Sequence, residues 1–123
     1  MAEDIRISEA GWRVLEVLWE DNPLTSAEVI ERLQEETGWA PNTVRTLLAR
    51  LKDKGYTDTT TTDGKMYHVP KIARHACVRA ESRSFLSRVF GGRTAPLLLH
   101  FAREAQLTPE ELKELRAILD KRK

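Results

Sequence analysis

The sequence predicts a mainly α fold with a small β-hairpin. A winged helix-turn-helix domain is expected over residues 1–70, and a three-helix dimerisation domain over residues 71–123. Three observations carry this expectation. Apolar residues recur at helical spacing in three short segments before residue 55, and a tight connection joins the last two. A threonine-rich stretch then meets Asp63-Gly64, a hairpin dipeptide, and returns through Lys65–Val69. Charge is also segregated along the chain. Residues 1–39 hold 3 basic and 10 acidic side chains and residues 40–93 hold 11 and 4, although the 123-residue chain carries only +1 overall.

The elements follow in order. Ser8 opens a first helix in which Gly11, Val14, Leu15 and Leu18 share a face flanked by Trp12 and Trp19. Asp21-Asn22-Pro23 ends it, because a residue before proline is pushed out of the helical region. Thr25 and Glu28 have the spacing of a reciprocal cap, with Leu24 placed to staple onto Val29. Ile30 and Leu33 continue that second helix, and Gly38 stops it. Pro41 suits the first turn of a third helix, whose core stripe is Val44, Leu47, Leu48 and Leu51. Gly55 closes it, and the hairpin follows as a wing that Pro70 terminates.

The remaining chain reads as three more helices. Ile72 to Phe90 is a long one with small residues, Ala73, Ala76, Cys77, Ala80, Ser84 and Ser87, along one face. Such a face lets a second backbone approach closely. Gly91-Gly92 breaks this helix. Thr94 to Ala105 is the fifth, with Leu98, Phe101, Ala102 and Ala105 together. Leu107-Thr108-Pro109-Glu110-Glu111-Leu112 starts the sixth with a second capping box and staple, and Leu112, Leu115 and Leu119 form its stripe beside Ile118. About fifty residues in three helices rarely bury enough surface to stand alone. A second copy of the chain is therefore the expected cover. The expected interface residues are Ala76, Ala80, Phe85, Leu86, Leu98, Phe101, Leu112, Leu115 and Leu119.

The third helix is where chemistry is expected. At about 100° per residue its core stripe leaves Asn42, Thr46, Ala49 and Asp53 opposite, with Thr43, Arg45 and Arg50 on the flanks. Asparagine pairs with adenine and arginine with guanine in the major groove, and a threonine methyl packs on thymine. Asn42, Thr43, Arg45 and Thr46 are thus the candidate base readers, with Arg50 and the wing-tip Lys65 as candidate phosphate contacts. The positive middle third is the electrostatic footprint of a nucleic-acid binder. Double-stranded DNA is the expected partner. A winged-helix module that binds only protein is the alternative, kept open by the near-neutral overall charge and the acidic first two helices.

Other function classes lose support. His75 and Cys77 lie about 200° apart on a helix and cannot share a metal, and a single cysteine builds neither a disulfide nor a structural zinc site. Cys77 fits the small-residue stripe as a buried small hydrophobe. No nucleophilic triad, phosphate loop or paired catalytic carboxylate has the required spacing, so no enzyme, metal or cofactor is expected. Apolar runs are too short to span a membrane, and the opening residues lack a basic stretch followed by an apolar one. A cytoplasmic chain without membrane insertion is the expectation.

The run Trp39-Ala40-Pro41-Asn42-Thr43-Val44-Arg45-Thr46-Leu47-Leu48-Ala49-Arg50-Leu51-Lys52-Asp53-Lys54-Gly55-Tyr56 resembles the recognition helix of the penicillinase-repressor family (BlaI/MecI/CopY type). Ser8–Trp19, Ser84–Gly92 and the stretch from Phe101 to Leu112 are similar too, in the right order. The resemblance implies a homodimeric bacterial repressor on a palindromic operator, controlling antibiotic-resistance or related stress genes. For the β-lactam branch it also implies a membrane-bound metalloprotease sensor and inactivation by proteolysis within the dimerisation domain. The bond cut there lies between an asparagine and a phenylalanine, and falls at His100-Phe101 in this chain. Histidine thus replaces asparagine. Asn42 stands where lysine is frequent in the family, and the cysteine-rich segment of the copper branch has no counterpart here.

Overall fold

The computed structural model describes residues 5–122. Among them are six helices and one two-stranded antiparallel sheet: α1 Glu9–Glu20, α2 Ser26–Thr37, α3 Pro41–Asp53, β1 Thr57–Thr62, β2 Lys65–Pro70, α4 Arg74–Phe90, α5 Thr94–Glu104 and α6 Pro109–Lys121. This is a winged helix-turn-helix followed by helices.

The starts of the first two helices follow from their caps. The Ser8 hydroxyl accepts from the Gly11 amide at 3.0 Å. At α2, the Glu28 amide donates to Thr25 Oγ1 while the Glu28 carboxylate accepts from the Thr25 amide, at 3.2 and 2.9 Å. The same backbone bond holds the Glu28 carboxyl below its ordinary range. Gly38 ends α2 at φ 73°, a left-handed conformation that glycine adopts without a Cβ clash. Gly11 lies where α1 meets α3: a Cβ there would sit 3.4 Å from Leu51 Cδ2.

The core is built from α1, α2 and α3. Val14, Leu15, Val17, Leu18, Leu24, Val29, Ile30, Leu33, Val44, Leu47, Leu48 and Leu51 are buried together, and Trp19, Trp39 and Tyr56 pack against them. In the hairpin, Thr62 pairs with Lys65 and Thr57 with Pro70. Asp63 and Gly64 make the turn at φ 51° and 77°, as a two-residue hairpin loop requires. One feature exceeds the sequence reading. Leu24 exchanges backbone bonds with His68, 2.7 Å from the His68 amide to the Leu24 carbonyl and 3.2 Å in return. The entry to α2 is therefore a third, one-residue rung on the wing. A single bridge in a turn-like stretch leaves no alternating pattern to read.

Two compact units divide the chain, one running to Ser82 and the other starting at Arg83, so the division falls inside α4. One hydrogen bond ties the approach to α4 to the winged helix. The Trp19 indole donates to the Ile72 carbonyl at 2.9 Å. Cys77 is 1% exposed, with its thiol pKa pushed up by burial. The small-residue stripe is not uniform: Cys77 is buried, Ala76 and Ala80 are half-buried, and Ser84 and Ser87 are exposed.

Candidate nucleic-acid interface

The site is what the core leaves over. Burial of Val44, Leu47, Leu48 and Leu51 fixes the rotation of α3 about its axis. That rotation leaves Asn42, Thr43, Arg45, Thr46, Ala49 and Arg50 exposed. All four candidate base readers lie in the first turns of α3, where the uncapped amides and helix dipole favour an approaching anion. The sequence could not show how these side chains engage one another. Arg45 Nη1 donates to Asn42 Oδ1 at 3.3 Å, so the two planar groups are presented side by side. Thr46 Oγ1 donates to the Asn42 carbonyl at 2.9 Å, leaving its lone pairs for an incoming donor.

Two recesses flank this exposed strip. On one side, Asn42, Thr43, Thr46, Leu47 and Arg50 line a shallow hollow of about 300 Å³. On the other, a hollow of about 290 Å³ separates α3 from the wing, with Arg45 and Lys52 on the helix side and Thr59, Met66 and His68 on the hairpin side. Arg45 and Arg50 thus serve opposite flanks. Lys52 Nζ donates to Thr59 Oγ1 at 2.8 Å and ties the helix to the hairpin. Lys65 is exposed at the wing tip beside the turn.

Three further residues belong to this surface. Lys52 was legible: seven residues after Arg45, it must share its flank. Ser26 and His68 were not, because they are 42 residues apart. Their bond, Ser26 Oγ to His68 Nε2 at 2.8 Å, exists only through the Leu24–His68 bridge. Burial, with Lys52 nearby, lowers the His68 pKa from its ordinary value near 6.5.

The second unit carries a different kind of surface. Leu98, Phe101, Leu112 and Leu119 are exposed, Phe101 by 52% and Leu119 by 53%, while Leu86 and Leu115 are half-buried. Phe85 and Phe90 stack edge to face at 6.0 Å. His100 and Phe101 are neighbours in α5, both exposed, with their rings 5.2 Å apart. Among the described residues, no cluster of three or more His, Cys, Asp or Glu could hold a metal ion. No helix there is long and apolar enough to cross a membrane.

Comparison with known proteins agrees with this geometry. The family model for the penicillinase repressor matches residues 7–121. The methicillin resistance regulatory protein MecI of Mammaliicoccus sciuri is 32% identical over 117 residues, covering 94% of both chains. The penicillinase repressor of Bacillus licheniformis is 32% identical over 118 residues, covering 96% of this chain and 92% of its own. Among solved structures, the DNA-binding domain of the repressor BlaI superposes with a TM-score of 0.54 at 29% identity, over 62% of this chain and 93% of that one. The monomeric form of Bacillus licheniformis BlaI in complex with the blaP half-operator gives 0.55 at 29% identity, with the same coverage. The chain belongs to the penicillinase repressor family, whose members are transcriptional repressors and not enzymes.

Proposed function

We propose that this repressor binds duplex DNA as a homodimer on a palindromic operator, one α3 per half-site. The observation that carries the reading is the exposed Asn42, Thr43, Arg45 and Thr46 in the first turns of a helix whose opposite face is locked into the core. These side chains have the donors, acceptors and methyl groups that distinguish base pairs in the major groove. Arg50 and Lys65 add sequence-independent attraction to the backbone. The similarity to BlaI, solved in its monomeric form in complex with a half-operator, supports operator DNA as the partner.

The apolar faces of α5 and α6 support the dimer. No described residue in either helix is buried within the chain. A second copy covering Leu98, Phe101, Leu112 and Leu119 removes that surface from water, and linking two recognition helices multiplies operator affinity. Release follows by cutting at the exposed His100-Phe101 bond, through a circuit that begins at a membrane-bound metalloprotease sensor. The site of action is the cytoplasm and the genes controlled are those of antibiotic resistance or a related stress.

The test is retardation of fragments around the chain's own promoter across a salt series. Each phosphate neutralised adds about −0.9 to the slope of log K against log salt, so a dimer with several contacts per subunit loses orders of magnitude between low and moderate salt. Absence of any retarded complex at low salt overturns the reading in favour of a protein-binding winged helix.

A further inference from the structure

We propose that the recess between α3 and the hairpin seats a backbone phosphate of the operator, and that His68 is the positioning residue that turns the Ser26 hydroxyl proton toward it. The inference deepens the DNA-binding reading and rests on it. It starts from one buried ring. His68 is 5% exposed, its Nε2 lies 2.8 Å from Ser26 Oγ, and its Nδ1 is buried without a partner. A neutral imidazole carries a single N–H. Placed on Nδ1, that proton is buried with no acceptor; placed on Nε2, it is bonded to Ser26. The second tautomer leaves only a lone pair unsatisfied, which costs less than an orphaned donor. Burial and the neighbouring Lys52 keep the ring neutral near pH 7.

The consequence falls on Ser26. Its oxygen accepts from His68, so its own proton must find an acceptor elsewhere. None of the residues lining the recess is a carboxylate, and the charged groups there are Arg45 and Lys52, both cations on α3. Ser26 is also the first residue of α2, whose start is already closed by the Thr25–Glu28 capping box, so the donors offered to the recess are side chains. A hydroxyl donor and two cations thus converge on a recess lined by no carboxylate. A phosphate diester supplies the anion. The geometry is held rigidly, because the Leu24–His68 backbone bonds fix the ring against the entry to α2 and the Lys52–Thr59 bond fixes the opposite wall.

The experiment combines the ring nitrogens with a mutant cycle. Long-range ¹⁵N spectra of the free full-length protein should show His68 as the Nε2–H tautomer near pH 7; the Nδ1–H form overturns the proposal. Ser26→Ala should weaken binding about tenfold, the scale of one hydrogen bond to a charged group, and equally on operator and random duplex. His68→Met should lose a similar factor, and the double variant no more than either single one. His68→Gln, which offers an N–H at nearly the same place, should stay within about twofold of the parent. Lys52→Met should reduce the salt slope by about 0.9. Losses that multiply in the double variant, or a Ser26→Ala protein that binds like the parent, overturn the inference alone. If His68→Met does not fold, Ser26→Ala, His68→Gln and the spectra still decide it. A parent chain that binds no duplex breaks the DNA reading and this inference with it.

Discussion

The two units of the chain use apolar side chains in opposite ways. In the first, Val14, Leu15, Leu18, Val29, Leu33 and Val44 are sealed from solvent, and Asn42, Thr43, Arg45, Thr46 and Arg50 face outward on α3. In the second, α5 and α6 bury none of their described residues, and Leu98, Leu99, Phe101, Ile118 and Leu119 each expose about half their surface. A core that closes on itself frees its surface for a charged, directional partner such as DNA. An apolar face left open calls for a partner that brings the same chemistry, and a second copy of the chain is one. In the proposed function recognition falls to one unit and assembly to the other, and each half of that proposal can be broken separately.

The largest expected effect comes from removing the assembly face while sparing the recognition face. A chain ending at His100 loses Phe101, Leu112, Leu115 and Leu119. Each large apolar side chain buried in an interface contributes roughly 1.5–3 kcal/mol. The truncated protein should sediment as a monomer at micromolar concentration and lose about 10²–10⁴-fold in operator affinity with the second linked half-site. Its winged-helix unit should melt unchanged, since its core lies wholly within α1 to α3 and the segments beside them. A truncated protein that remains dimeric at full operator affinity removes the division of labour.

A matched pair of leucines sharpens the comparison. Leu15→Ala opens a cavity in a sealed core and should cost about 2–5 kcal/mol in unfolding free energy at any protein concentration. Leu119→Ala deletes a side chain 53% exposed within the chain, so its effect should grow only as the protein is diluted. Urea titrations at two concentrations distinguish them. Concentration-independent loss for both variants would mean that the second unit has a core of its own.

How much of this was legible in the sequence follows the same divide. Val44, Leu47, Leu48 and Leu51 declare the buried face of α3 by spacing alone, and the exposed Asn42, Thr43, Arg45 and Thr46 follow as its complement. The caps at Thr25 and Thr108 were legible because their partners are three residues away. Contacts across long separations were not. The Leu24–His68 bridge, the Ser26–His68 bond and the Trp19–Ile72 bond all join residues more than 40 apart. No local pattern encodes them. Cys77 shows the same limit: it shares a stripe with the half-buried Ala76 and Ala80 yet is itself sealed from solvent.

Within the recognition unit, the flanks of α3 should separate specificity from affinity. Arg45 is bonded to Asn42 and lines the hollow toward the wing, whereas Arg50 lines the hollow on the other flank. Arg45→Ala should cost about 1–3 kcal/mol on operator and relax preference at one base pair. Arg50→Ala should weaken operator and random DNA alike and flatten the salt slope by about 0.9. Equal factors for both variants on both DNAs would erase the distinction between the flanks.

The smallest expected effect uses one motif present in both units. Thr25–Glu28 and Thr108–Glu111 form capping boxes of nearly the same geometry, with side-chain bonds of 3.2 and 3.1 Å to the backbone and 2.9 Å in return in each. Replacing either threonine with alanine removes the same local bond, worth about 1 kcal/mol. What differs is the fold each helix start supports. In α2, the cap precedes Val29, Ile30 and Leu33, which are buried in the chain's own core. Thr25→Ala should therefore lower the melting temperature of a monomeric truncated protein as much as that of the full chain. In α6, the stripe of Leu112, Leu115 and Leu119 includes no buried residue within the chain. Thr108→Ala should instead loosen the face offered to the second copy. Its cost should appear as a dimer dissociation constant raised by about fivefold, the equivalent of 1 kcal/mol, with the melting of the winged helix unmoved. Analytical ultracentrifugation over a dilution series, beside thermal melts of both variants, makes the comparison. If Thr108→Ala lowers the melting of the first unit, or Thr25→Ala weakens the dimer equally, the two units do not keep their stabilities apart.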